Sequence, residues 1–169
     1  MSAQTMAPSD EPRMAISLQN RQRKVPVETA RLRKVGHATL RALGRPTADC
    51  SVVLVDDAGI AALNRAYRGV IGPTDVLAFP MTEGPFSDVT PDCLGDVVIS
   101  AQTALRQAHG GDVTAECALL LVHGMLHLLG YDHRTPRQRQ RMWKRQTAVL
   151  EACGVTVPDG WATIPQRVR

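Results

Sequence analysis

The chain has 169 residues, 44% of them hydrophobic and 21% charged, with a formal net charge of +4 and no internal repeat. This is the composition of one globular domain long enough to bury a core. The longest apolar run, Cys117 to Leu129, is too short to cross a bilayer, and the polar, proline-bearing start lacks the apolar stretch of a signal peptide, so membrane and secretory classes are excluded and a cytoplasmic protein is expected.

Residues 1–12 read as a loose tail, residues 13–155 as the domain and residues 156–169 as a second tail. Met14, Ile16 and Leu18 alternate with small or polar residues, the pattern of a half-buried strand. Pro26 then opens a helix to about Leu43, with Leu32, Val35, Thr39 and Leu43 on one face and Gly44 as its stop. Cys50–Val55, CSVVLV, is a β-branched run suited to a buried strand. Asp56 or Asp57 caps the next helix, which buries Ile60, Leu63 and Tyr67 and ends at Gly69. DVLAFP (Asp75–Pro80) and LGDVVIS (Leu94–Ser100) are two further strands separated by a Pro/Gly/Asp-rich loop, and Ala101–Ala108 forms a short helix.

The next helix begins near Asp112 or Thr114 and runs through ECALLLVHGMLHLL, apolar on every face and so expected in the centre of the domain. His123 and His127 lie four apart and project from one side. Gly130 ends the helix and lets the chain swing His133 back over them. The stretch HGMLHLLGYDH follows the spacing HExxHxxGxxH of many zinc peptidases, yet Gly124 stands where those enzymes keep their general base. Imidazoles in an apolar helix each need a partner for their polar nitrogens, and one cation satisfies all three rings together. Three neutral imidazoles suit zinc, with nickel or copper also compatible, and leave a position for water as catalytic sites do. His37 and His109 have no such company and read as surface residues.

Without the glutamate, a bound metal still acidifies water, which serves reactions such as phosphodiester cleavage in which another cation holds the substrate. Arg68 in YRG is the candidate for that cation, since it is one of only three in residues 46–132; a solvated arginine at a helix C-terminus is the plain alternative. The basic residues concentrate at the two ends, nine in residues 1–45 and eight in residues 133–169. Folded around one cleft they would give nucleic acid a positive rim; otherwise they are solvated helix faces. Asp132 reads either as an orienting partner for a ligand histidine or as a turn residue bonding its own backbone. Trp143, in the basic helix RTPRQRQRMWKRQ, either stacks on a base or packs inward with Met142 and Leu150. Cys50, Cys93, Cys117 and Cys153 form no CxxC pair and read as reduced thiols.

LNRAYRG followed by PTDVLAFP, then LGDVVIS and HGMLHLLGYDH, in this order and spacing, resembles the bacterial endoribonuclease and rRNA maturation factor family YbeY. The resemblance implies a single α+β domain, a small mixed sheet of about four strands with about five helices and a zincin-like metal helix in its core. It implies a zinc ion on His123, His127 and His133, another divalent metal not being excluded, and a role for Arg68 in the RNA cleft. It further implies single-strand-specific RNA cleavage in 3′ end processing of small-subunit (16S) ribosomal RNA and in ribosome quality control. The implied partners are single-stranded RNA, ribosomal RNA and the small subunit, with a ribosomal protein or an assembly GTPase as further ones. The chain departs from the family where a lysine often precedes PTDVL and a serine often lies within it: here Gly72 and Ala78 stand, and loss of the lysine would weaken one phosphate contact that the resemblance implies. Two other classes remain, a non-catalytic rRNA assembly factor with a structural zinc and a metallopeptidase using Asp132 as base.

Overall fold

The structure is a computed structural model that describes residues 15–81 and 92–157. Met14, the N-terminal tail, most of the Pro/Gly/Asp-rich loop and residues 158–169 lie outside the described residues. In chain order the elements are β1 (Ile16–Asn20), α1 (Thr29–Ala42), β2 (Asp49–Val55), α2 (Asp57–Arg68), β3 (Val76–Pro80), β4 (Cys93–Ser100), α3 (Ala101–Gln107), α4 (Val113–Leu128) and α5 (Pro136–Ala152). The strands form one mixed sheet in the order β1-β2-β4-β3, with β1, β2 and β4 parallel and β3 antiparallel to β4 along the edge. The expected single α+β domain with a small mixed sheet and five α-helices is the observed architecture among the described residues.

The alternation of side chains along β4 divides the protein into two layers of unequal size. Val97 and Ile99 point into the main core, shared with Leu32 and Leu40 of α1, Leu119 to Leu121 of α4 and Leu150 of α5. Val98 points to the other face, where α2 covers a smaller cluster through Ile60 and Leu63. Each of these buried leucines, isoleucines and valines contributes about 1.5–3 kcal/mol relative to exposure, which makes the main layer the dominant source of stability.

The starts of α2 and α4 follow the predicted capping chemistry. The Asp56 carboxylate accepts from Gly59 N at 2.9 Å to begin α2, and that of Asp112 accepts from Ala115 N at 2.9 Å to begin α4. Thr135 and Gln138 close a reciprocal capping box at α5 behind Pro136 in the first turn.

Two expectations are corrected. α1 starts at Thr29 instead of Pro26, because the Gln22 side chain binds both the N–H and the carbonyl of Val25 and holds that segment in a turn. Leu43 closes α1 half-buried and packs against the main core on the same face as Leu32, Val35 and Thr39, as expected. Tyr67 is 69% exposed: its ring borders an open cavity over the sheet face, lined also by Leu63, Val53 and Val98, and meets Phe79 edge-on at 5.1 Å.

Candidate metal centre

α4 is buried on nearly every side, so its two histidines are fixed by the packing of the whole helix. His123 is 2% exposed and His127 half-buried, their ring centroids 4.7 Å apart and their Nε2 atoms 3.0 Å apart. After Leu128 the chain reverses at Gly130 (φ +85°): Gly130 N donates to His127 O at 3.0 Å and Tyr131 N to Leu126 O at 3.1 Å. That turn returns His133 to the pair, stacked on His123 at 5.7 Å and edge-on to His127 at 5.1 Å. One ligand nitrogen from each ring lies within 4.8 Å of the others, so the three residues can hold a metal ion. His37 and His109 are not among them.

The electrostatics suit a cation. Burial and the neighbouring His127 hold the His123 imidazole well down, at about 3. Burial and His133 lower His127 to about 4; hydrogen bonding to the Tyr131 backbone and the charge of Asp132 oppose this, and the charge of Arg68 adds to it. Both rings are therefore neutral at pH 7 with a lone pair available. A set of imidazole nitrogens with no carboxylate or thiol among the described residues fits zinc, and fits nickel or copper by ligand type.

Two partners of the histidines escaped the sequence reading. His123 Nδ1–H donates to Gln146 Oε1 on α5 at 2.8 Å. The His127 ring bonds to the Tyr131 backbone, whose place depends on the Gly130 turn. The signal for Gln146 was present in the sequence: it is the one polar position on the buried stripe Met142, Gln146, Val149 and Leu150. Trp143 packs inward as expected, but against His123 at 5.6 Å and His133 at 6.1 Å between ring centroids.

Asp132 is a turn residue. Its Oδ1 accepts from His133 N at 2.7 Å and its Oδ2 pairs with Arg134 Nε at 2.9 Å, so it shapes the loop that carries the third histidine. Arg68 is the last residue of α2 and is exposed, and its charge reaches His127. Gly72 has φ +100°, a conformation that a lysine would adopt only with strain, and its carbonyl accepts from Asn64 Nδ2 at 3.0 Å. A β-carbon at Gly124 would lie 2.7 Å from Val97 Cγ1 and 3.4 Å from Val76 Cγ2. The direction in which a peptidase glutamate would leave the helix is filled by the sheet.

Cys50 and Cys117 are buried free thiols, each pushed up to about 12 mainly by burial; Cys93 and Cys153 are free and half-buried.

A family model described as "Endoribonuclease YbeY" matches residues 17–154. The chain is 48% identical over 122 residues to the endoribonuclease YbeY of Geobacter sulfurreducens, covering 71% of this chain and 81% of the relative. It is 45% identical over 151 residues to that of Pelotomaculum thermopropionicum, covering 85% and 99%. The solution structure of TM1509 from Thermotoga maritima is similar with a TM-score of 0.56 at 25% identity, covering 82% of this chain and 89% of that one. With a model match spanning most of its length and these levels of identity to curated relatives, the chain belongs to the endoribonuclease YbeY family.

Proposed function

We propose that this protein is a metal-dependent endoribonuclease that cuts single-stranded RNA, acting in the cytoplasm on the 3′ end of small-subunit (16S) ribosomal RNA and in ribosome quality control. The observation that carries the reading is the gathering of three imidazole nitrogens within 4.8 Å on one helix and its returning loop. His123, His127 and His133 hold the metal, with zinc the ion best matched to neutral imidazoles. Bound there, the ion would supply the Lewis acidity that phosphodiester hydrolysis needs.

The chain's own residues do the rest. Arg68 extends from the end of α2 with five N–H donors and receives the negative charge that builds on the phosphate during attack. Arg134, Arg137 and Arg141, exposed along α5 and the loop before it, follow the RNA backbone on either side of the scissile bond. Single strands are favoured because an unpaired strand can bend to bring its scissile phosphate to a site with one buried and two half-buried histidines, which a stiff A-form duplex does not do. Ribosomal RNA and the small subunit are the partners, with a ribosomal protein or an assembly GTPase presenting the substrate.

Two observations weigh against a peptidase: the Gly124 direction is packed against Val97, and the Asp132 carboxylate is engaged by His133 N and Arg134. The donor set also weighs against a purely structural zinc, which four protein ligands usually close. No helix among the described residues is long and apolar enough to cross a membrane. The test is cleavage of a 3′-extended small-subunit rRNA fragment by purified protein before chelation, after chelation and after zinc is restored. Loss and recovery of cleavage support the proposal; cleavage indifferent to chelation of fully stripped protein contradicts it.

A further inference from the structure

We infer that Gln146 is a positioning residue for the metal centre: its side-chain oxygen takes the Nδ1 proton of His123 and so presents the Nε2 lone pair to the ion. The inference rests on the reading of His123, His127 and His133 as a metal site.

Three observations support it. Gln146 is 2% exposed on a helix face otherwise lined by Met142, Val149 and Leu150, where a primary amide is costly unless it has a partner. That partner is His123 Nδ1 at 2.8 Å, across the interface between α5 and α4. A neutral imidazole carries one ring proton, so a proton held at Nδ1 leaves Nε2 free, and His123 Nε2 is the atom that faces His127 Nε2 at 3.0 Å.

α5 fixes the ring in a second way. Trp143 lies against His123 at 5.6 Å with planes tilted by 49°, and His133 stacks on it at 28°. Gln146 grips the edge of the imidazole while Trp143 and His133 limit its rotation. A rigid, correctly protonated ring loses little freedom when the ion arrives, which is how outer partners of ligand histidines strengthen metal binding. An amide does this without adding charge, so the set keeps three neutral ligands. A glutamate at the same place would accept the same proton and add a negative charge.

The experiment measures zinc affinity of the full-length protein by competition with a chelator at fixed pH, for wild type, Gln146→Met and Gln146→Glu. Thermal unfolding of each metal-free protein is recorded alongside. Methionine keeps the volume and removes the acceptor, and the expected loss of zinc affinity is about 10–100-fold. Glutamate restores the acceptor and is expected to bind zinc at least as tightly as wild type. If Gln146→Met does not fold, Gln146→Asn, which withdraws the amide by one carbon, is expected to show the same loss. A merely structural glutamine would lower the unfolding temperature of metal-free protein and leave the affinity of the folded protein unchanged. Zinc affinity of Gln146→Met within about two-fold of wild type overturns this inference and leaves the proposed nuclease function standing. A wild-type protein that takes up no zinc overturns both.

Discussion

A β-carbon on Gly124 would sit 2.7 Å from Cγ1 of Val97, closer than side chains approach one another. The glycine between the two helix-borne histidines is thus a packing requirement of α4 on the sheet. It lets the helix lie close enough to β4 and β3 for Val97 and Val76 to fill the space beneath it. Gly124→Ala pits a gain of about 1 kcal/mol in helix propensity against an overpacking cost of about 1–3 kcal/mol. The expected balance is a destabilisation of about 1 kcal/mol, measured by denaturant unfolding of the metal-free protein. A variant more stable than wild type would mean that Val97 yields freely. Gly124→Glu is expected to fold poorly and to gain no peptidase activity.

The exposed arginines of α5 are assigned to the RNA backbone, and that assignment carries a salt signature. The double variant Arg137→Ala/Arg141→Ala is expected to bind single-stranded RNA more weakly and to lower the slope of log affinity against log salt by about 0.7 for each phosphate no longer neutralised. Arg141 also lies 5.3 Å above the Tyr131 ring, so the single Arg137→Ala variant separates phosphate binding from support of that loop. An unchanged slope in the double variant would show that these arginines are solvated faces.

Asp57 ties α2 to α3. Its Oδ1 accepts from Ser100 Oγ at 2.6 Å and Thr103 Oγ1 at 2.7 Å, and its Oδ2 pairs with Arg106 at 2.8 Å. Burial alone would raise its pKa, but the bonds from Arg106, Ser100 and Thr103 outweigh it and bring the carboxyl to about 2. A folded pKa below the unfolded value of 3.8 means that the unfolded chain binds the proton more readily. The contribution is therefore complete above pH 3.8 and is lost as pH falls towards about 2. Asp57→Asn is expected to cost about 1 kcal/mol at neutral pH, reduced by the exposure of Arg106, with the difference from wild type shrinking across that acid range. Unfolding free energies at a series of pH values check it, and a constant difference down to pH 2 would contradict it.

Much of this site was legible because its elements speak in short-range patterns. The i, i+4 pair His123 and His127, the all-round apolar character of α4 and the glycine stop at Gly130 each have a local physical cause, and the structure brings His133 where they predict. The caps Asp56 and Asp112 were legible for the same reason. What stayed hidden depends on tertiary placement. Gln146 meets His123 across 23 positions of sequence, a pairing that no local period encodes. Tyr67 follows the apolar spacing of α2 yet stands exposed, because the sheet face it borders beside Phe79 is left open as a cavity. The start of α1 was misplaced because Gln22 competes for the backbone of Val25, a side-chain interaction that outweighs the helix-opening tendency of Pro26.

The most direct measurement of the central claim combines zinc content with cleavage of a 3′-extended small-subunit rRNA fragment for wild type, Arg68→Ala and His127→Ala, each checked for folding. Arg68 is exposed, so its replacement is expected to change stability by no more than about 0.5 kcal/mol. The expected result is about one equivalent of zinc in wild type and in Arg68→Ala, cleavage reduced about 10²–10³-fold in Arg68→Ala, and both zinc and cleavage abolished in His127→Ala. Full zinc occupancy in wild type without RNA cleavage, even with small ribosomal subunits supplied, would contradict it and move the protein to the class of assembly factors that hold ribosomal RNA without cutting it.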